Sequence, residues 1–161
     1  MADVAVINAS PLIFFSRANH IALLSHFAKT VLVPSPVAAE IDGKGPEDKA
    51  ARAIRETPWI EVVPASVIPL PVLEWGLGPG ESSVLAFALE HSGVEAIIDD
   101  LSARKCAATL GISVRGTLGI VLAAKHRQII PSARVVMEDL IAAGLYLSNS
   151  VLNAALAKVD E

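Results

Sequence analysis

Oxygen-bearing side chains recur directly after short apolar runs in this sequence. Asn8 and Ser10 follow the first such run, and Asp99 and Asp100 follow a later one. Short β-branched runs of this kind are typical of buried strands. Oxygen donors that converge without His or Cys are the ligands that hard cations such as Mg²⁺ or Mn²⁺ prefer. The pattern therefore predicts a divalent-cation site beside the ends of these strands.

Two glutamates fall in predicted helices that can face the same edge, Glu40 and Glu81. Each acid also has an ordinary structural interpretation. Glu81 would complement the dipole of its helix from the first turn, Asp100 would cap the helix that follows it, and Glu40 would lie on the surface. Asp99 differs, because an acid directly behind a buried strand needs a polar partner.

Strands and helices alternate along the chain. The predicted strands cover residues 4–7, 30–33, 59–63, 96–98 and 113–115, and the predicted helices cover 21–28, 35–41, 46–56, 81–91, 101–110, 117–127, 132–143 and 148–159. This order predicts an α/β fold with a parallel sheet covered on both faces. In such folds ligands bind outside the carboxyl ends of the strands. Asp99 and Asp100 come at the end of such a strand in this prediction.

Turn residues set the boundaries of several elements. Ser35 is predicted as an N-cap with Pro36 at the first helical position, and Gly111 as the residue that ends the helix before it. Four prolines and three glycines make 64–80 an irregular strap. Its glycine-rich end, 76–81, follows no predicted strand and is a poor dinucleotide loop.

Composition places the chain among ordinary globular domains. With 161 residues it is predicted to form one domain, and 53% hydrophobic residues exclude a disordered tail. One cysteine excludes a disulfide framework and a multi-Cys zinc site. The first basic residue is Arg17, so we expect no signal peptide and predict a cytoplasmic location. The apolar excess favours a homodimer.

Charge is distributed unevenly around a net value of −4. The segment 101–137 has no acidic residue and carries six basic ones, Arg104, Lys105, Arg115, Lys125, Arg127 and Arg134. A basic segment next to acidic residues could hold a polyanion beside a cation site. The alternative is a solvated face whose neutralising acids lie elsewhere in the fold.

Five short segments in order resemble the PIN-domain family, in particular the prokaryotic subfamily related to VapC-like toxins. They are 6–13, 33–40, 77–81, 97–100 with Ala103 and Arg104, and 116–119, within residues 4–127. The resemblance implies a three-layer α/β/α fold around a parallel sheet. It also implies a ribonuclease site of acidic residues that depends on Mg²⁺ or Mn²⁺.

The resemblance extends to individual residues. Glu40, Glu81 and Asp99 match the acidic catalytic positions of the family, and the metal would be held by these three together with Asn8 and Asp100. Ser10 and Thr117 match supporting positions. Asn8 is a departure, because many PIN domains have an aspartate there, and a neutral amide removes one charge from the site.

Two functions follow from the resemblance. The first is a metal-dependent ribonuclease acting on single-stranded RNA, as the toxin of a toxin–antitoxin pair whose small antitoxin would cover the acidic pocket. The second is a non-catalytic module that binds RNA or protein, which Asn8 favours. The charge pattern, and not the family, makes Arg104, Lys105 and Arg115 the candidates for binding the RNA backbone.

Aromatic and C-terminal apolar residues are expected to have structural roles. With 4% aromatic residues, Trp59, Trp75 and Tyr146 are predicted to lie in the core or an interface rather than to stack on bases. The C-terminal helices would either form a dimer interface or cap the core, through Leu140, Leu145, Leu152, Leu156 and Val159.

Overall fold

A five-stranded parallel sheet forms the centre of the molecule. The computed structural model describes residues 2–161, and its strands lie in the order β3-β2-β1-β4-β5. They are β1 Ala2–Ile7, β2 Ala28–Pro34, β3 Ile60–Val63, β4 Glu95–Ile97 and β5 Val114–Arg115. All four neighbouring pairs are parallel. The predicted α/β fold with a central parallel sheet is confirmed.

Helices flank this sheet. They are α1 Ala9–Arg17, α2 Ser35–Asp42, α3 Lys49–Glu56, α4 Leu70–Leu73, α5 Pro79–Glu90, α6 Leu101–Thr109, α7 Thr117–His126, α8 Ala133–Ala142 and α9 Asn149–Ala157, with a 3₁₀ helix at Ile21–His26. Among the described residues, no helix combines the length and apolar character needed to cross a membrane.

The central strands carry the core and deliver the polar residues that follow them to one edge. Val6, Ile7, Val33 and Ile97 are almost completely buried. The strands are parallel, so their carboxyl ends share an edge. The backbone amide of Asn8 donates to the carbonyl of Ile97 at 3.0 Å. The residue that follows β1 is therefore next to the end of β4.

Three local predictions require correction. The helix predicted for 35–41 begins with Ser35 already inside it and Pro34 as the cap residue, because β2 pairs with β3 as far as Pro34. The helix predicted from residue 46 starts at Lys49, since the Asp48 side chain accepts from Ala50 N and caps it there. The apolar run 21–28 forms only a 3₁₀ helix, because Ala28 pairs with β1 as a strand residue.

The C-terminal helices pack on the core of their own chain. Leu140 and Leu156 are fully buried, and the remaining three predicted residues, Leu145, Leu152 and Val159, pack against the same core. The core-capping interpretation is therefore the observed one. The homodimer stays a prediction.

The strap between β3 and α5 is irregular as predicted, apart from the single helical turn of α4. It leaves large apolar side chains exposed, namely Val67, Leu70 and Leu73, and it ends at Trp75 and Gly76. Gly76 has a φ of 63°, in the left-handed region that favours glycine. This turn carries the chain from α4 toward the start of α5.

Candidate active site

Asn8 lies at the centre of the carboxyl edge, between the end of β1 and the start of α1. It occupies the N-cap position of α1 with extended backbone, yet its side chain caps nothing. The side chain is 3% exposed, and its Nδ2 donates to Glu81 Oε1 at 3.1 Å. Its Oδ1 has no hydrogen-bond partner among the described residues. An unpaired buried acceptor costs about 1–3 kcal/mol, so this oxygen is poised for a ligand.

Gly80 lets the elements around Asn8 approach closely. An added Cβ atom at Gly80 would lie 2.9 Å from Asn8 Oδ1 and 3.3 Å from Glu40 Oε2. The amide oxygen of Asn8, which follows β1, and the Glu40 carboxylate of α2 therefore lie against the same side of the first turn of α5. Glu81, the next residue of α5, completes a group of three oxygen-bearing side chains.

Asp99 is engaged differently from the two glutamates. Its Oδ1 accepts from Thr117 N at 2.7 Å and its Oδ2 from Thr117 Oγ1 at 2.6 Å. This carboxylate thereby supplies an acceptor for the N-terminal amide of α7, which has no intrahelical partner, since the cap residue Gly116 has no side chain. Thr117, for which a supporting role is predicted, is therefore the hydrogen-bond partner of Asp99.

Asp100 caps a helix, and Ser10 is exposed to solvent. Asp100 Oδ2 accepts from Ala103 N at 2.9 Å and caps α6, as its ordinary structural interpretation predicted. Asp100 also lines a cavity with Glu81. Ser10 is exposed in the first turn of α1.

The predicted five-residue metal set is not gathered into one cluster. Within residues 2–161, no three His, Cys, Asp or Glu side chains lie close enough together to hold a metal ion. The oxygens that lie side by side at Gly80 are Asn8 Oδ1 and the Glu40 carboxylate, and Glu81 is hydrogen-bonded to the Asn8 amide nitrogen. Such a set suits Mg²⁺, which binds one or two carboxylates and keeps several waters. The residues therefore fit a hard divalent cation, with Asp99 held apart by Thr117.

The three predicted RNA-binding cations separate into two locations. Arg104 lies beside the site, because an added Cβ atom at Gly116 would meet its guanidinium and would lie 3.1 Å from Asp99 Oδ1. Lys105 is exposed next to it on α6. Arg115 instead pairs with Glu95 at 2.9 Å and lies over the Phe27 ring, lining a cavity of about 460 Å³ at the amino edge of the sheet.

The solvated-face interpretation of the basic segment is therefore correct in part. Lys125 lies 3.6 Å from the Glu161 carboxylate, and Arg115 lies 2.9 Å from the Glu95 carboxylate. Acids from outside the segment therefore neutralise both cations. Among the described residues Arg104 and Lys105 form no ion pair. The basic charge available at the carboxyl edge is thus smaller than the sequence indicated.

Two residues at the site escaped the sequence interpretation. Gly80 is needed for the approach of Asn8 and Glu40, and the glycine-rich run 76–81 was its only signal. Trp75 was expected in the core or an interface, but it is 39% exposed and lines a cavity beside Glu81. Tyr146 is likewise outside the core, at 88% exposed, whereas Trp59 packs against the core.

Comparison with known proteins gives the fold and the family. A solved structure titled "Structure of the PIN domain endonuclease Utp24" superposes with a TM-score of 0.52 at 15% identity, covering 70% of this chain and 84% of that one. At this identity the likeness shows the fold alone. No curated protein matches the chain. The model of the DUF3368 family, described as a PIN domain, matches residues 4–161. With this match spanning almost the whole sequence, the chain belongs to the PIN-domain family.

Proposed function

We propose that this protein is a ribonuclease that depends on Mg²⁺ or Mn²⁺ and hydrolyses single-stranded RNA at the carboxyl edge of its sheet. One observation carries the proposal. The buried, unpartnered Oδ1 of Asn8 faces the same side of Gly80 as the Glu40 carboxylate. A bound cation would satisfy this acceptor, which otherwise carries the cost of being buried without a partner.

Each residue of the group has a defined task in this proposal. Asn8, Glu40 and Glu81 would hold the ion. When bound, the ion supplies activation of the attacking water and neutralises charge that develops on the leaving oxygen. Glu81 also accepts from Asn8 Nδ2, which fixes the orientation of the amide and therefore the direction of its oxygen. Asp99 would position the first turn of α7 through its two hydrogen bonds with Thr117.

Arg104 and Lys105 would bind the RNA backbone next to this group. Phosphate contacts by such side chains make the affinity fall with salt, with a slope of about −0.7 per contact on single strands. Changing either residue to alanine should reduce the slope by about that amount. Lys158→Ala, at the exposed cation that follows the last residue of α9, is the matched control.

A second candidate, the non-catalytic binding module, is favoured by a different feature of the same residues. The hydrogen bond from Asn8 Nδ2 to Glu81 stabilises the pair without a metal, whereas two carboxylates there would repel each other. In this case RNA or a protein partner would bind and no bond would be broken. The toxin role and the small antitoxin are further proposals that depend on the first candidate, and the homodimer is a separate proposal that rests on the apolar composition.

An RNA cleavage assay separates the two candidates. Metal-stripped protein is incubated with single-stranded RNA while Mn²⁺ is added, and Glu81→Gln and Asp99→Asn are tested beside it. The proposal predicts cleavage that requires Mn²⁺ and is lost in both variants. Glu90→Gln, at the other end of α5, should cleave like the native protein. Full cleavage by Glu81→Gln would overturn the proposal, and RNA binding without cleavage would favour the second candidate.

A further inference from the structure

A cavity of about 380 Å³ lies directly beside Glu81. The strap forms one wall with Trp75, Gly76 and Gly78, and the start of α6 forms another with Asp100 and Ser102. Its volume falls within the range of small-ligand sites in proteins. No function described above uses it.

The Glu81 carboxylate belongs to this cavity and to the candidate active site at once. Its Oε1 accepts from Asn8 Nδ2 at 3.1 Å, on the side of the buried acceptor. On its other side, an added Cβ atom at Gly78 would lie 2.7 Å from Oε2. A group bound in the cavity would therefore be adjacent to the carboxylate that is proposed to act on the RNA.

Trp75 gives the cavity an aromatic surface held on a fixed backbone. The Trp75 and Gly76 amides both donate to carbonyls of the preceding turn, each at 3.1 Å. Trp75 is 39% exposed, so part of this large side chain is open to solvent. Beyond Gly76, the amides of Leu77 and Gly78 donate to no backbone carbonyl among the described residues.

Charge decides which part of a nucleotide would enter. Glu81 and Asp100 place two carboxyl groups on the wall, and these disfavour a phosphate. A neutral base has an aromatic face for Trp75 and polar edges for the Asp100 carboxylate, the Ser102 hydroxyl and the free amides. Stacking on an aromatic side chain is a general means of holding single-stranded nucleic acid.

We propose that this cavity is a nucleobase subsite, in which Trp75 stacks on the base next to the phosphate that is cleaved. The proposal rests on the ribonuclease function proposed above, and it gives that function a means of selecting sequence. It assigns Trp75 to substrate binding, with no part in breaking the bond.

Tryptophan fluorescence tests the subsite without requiring cleavage. The chain has two tryptophans, so Trp59→Phe leaves Trp75 as the single reporter. Hexaadenylate and an abasic ribose-phosphate hexamer are titrated into this protein, both in chelator and in Mn²⁺. We expect saturable quenching by hexaadenylate and little by the abasic oligomer. Equal quenching by the two, or none by hexaadenylate in either condition, would overturn the proposal.

Substitution of Trp75 supplies the second readout, by filter binding and by cleavage. Trp75→Ala should weaken hexaadenylate binding by about 5- to 150-fold, the equivalent of one stacked base. Trp75→Phe should retain most of the affinity, and Tyr146→Ala, a remote exposed aromatic residue, should retain all of it. Cleavage by Trp75→Ala at the native rate and base preference would refute the subsite alone. Base-dependent quenching without cleavage would refute the nuclease alone.

Discussion

Asn8 shows how one side chain can be structurally satisfied on one atom and unsatisfied on another. Its amide nitrogen has Glu81 as an acceptor, while its oxygen has no donor among the described residues. The sequence indicated that Asn8 would face the site, because it follows a buried strand. It could not indicate that the amide nitrogen would have a partner and the amide oxygen none, because this depends on where α5 places Glu81.

Asn8→Asp should exchange stability for cation affinity. The new carboxylate cannot donate to Glu81 and repels it, so the metal-free variant should lose about 1–3 kcal/mol of unfolding free energy. The added charge should also strengthen Mn²⁺ binding. Thermal unfolding with and without Mn²⁺ measures both effects, and we expect a larger Mn²⁺-induced rise in Tm for the variant. An equal rise in both proteins would contradict this account of Asn8.

Substitutions of Thr117 measure how much its hydrogen bonds with Asp99 contribute to the free energy of unfolding. Thr117→Val keeps the shape of the fully buried side chain but removes the hydroxyl that donates to Asp99 Oδ2. Loss of a hydrogen bond to a charged acceptor should cost about 1.5–3 kcal/mol in denaturant unfolding. Thr117→Ser keeps the hydroxyl and should lose less. If the two variants were equally destabilised, packing rather than the hydrogen bond would be the cause.

At the scale of elements, the sequence predicted the strand positions and helix ends that depend on neighbouring residues in the chain. The apolar runs located all five strands to within two residues, Asp100 caps α6, and Gly111 ends that region with a φ of 70°. What it could not predict depends on contacts between distant segments. The start of α2 follows from the pairing of Pro34 with β3, and the close approach at Gly80 follows from the packing of α5 on α2.

Gly80→Ala should disturb the site more than the fold. The added methyl would fall 2.9 Å from Asn8 Oδ1 and 3.3 Å from Glu40 Oε2, so these side chains would have to move apart. We expect Mn²⁺ affinity to fall at least about tenfold, or 1.4 kcal/mol. The matched control is Gly119→Ala in α7, where the nearest atom is 3.5 Å away and the change should stabilise by about 0.4–1 kcal/mol.

Calorimetry of the two glycine variants makes the comparison. If Gly80→Ala bound Mn²⁺ as the native protein does, the close approach at α5 would be a packing feature without a role in the site. Reduced binding by both variants would indicate a general effect on helices instead.

At the scale of the whole molecule, the Glu161 side chain connects the residues after α9 to two other helices, α8 and α7. Its carboxylate accepts from Ser132 Oγ at 2.7 Å and Ala133 N at 2.6 Å at the start of α8, and it lies 3.6 Å from Lys125 Nζ of α7. These donors, led by the Ser132 hydroxyl, lower the pKa of Glu161 to about 2. This contact could not be predicted from local sequence patterns, because Glu161 is 28 residues away from Ala133 in the chain.

This pKa predicts an acid-dependent contribution to stability. Because the folded state holds the carboxylate ionised, the contribution is complete above the ordinary pKa of 4.5 and is lost as the pH falls from there toward about 2. Glu161→Gln should therefore lower Tm at pH 7 and flatten its dependence on pH over that window. Glu74→Gln, an exposed control, should leave the profile unchanged. A native-like acid profile for Glu161→Gln would show that this cap does not act on the fold.

The central claim is that Asn8, Glu40 and Glu81 form a site for a divalent cation. Titration of metal-stripped protein with Mn²⁺ by calorimetry tests it most directly, in the native chain and in Glu40→Gln, Glu81→Gln and Glu90→Gln. The account predicts one binding event in the native chain, lost or weakened at least about tenfold in the first two variants and unchanged in the third. Absence of binding to the native chain, or binding that survives both Glu40→Gln and Glu81→Gln, would contradict it.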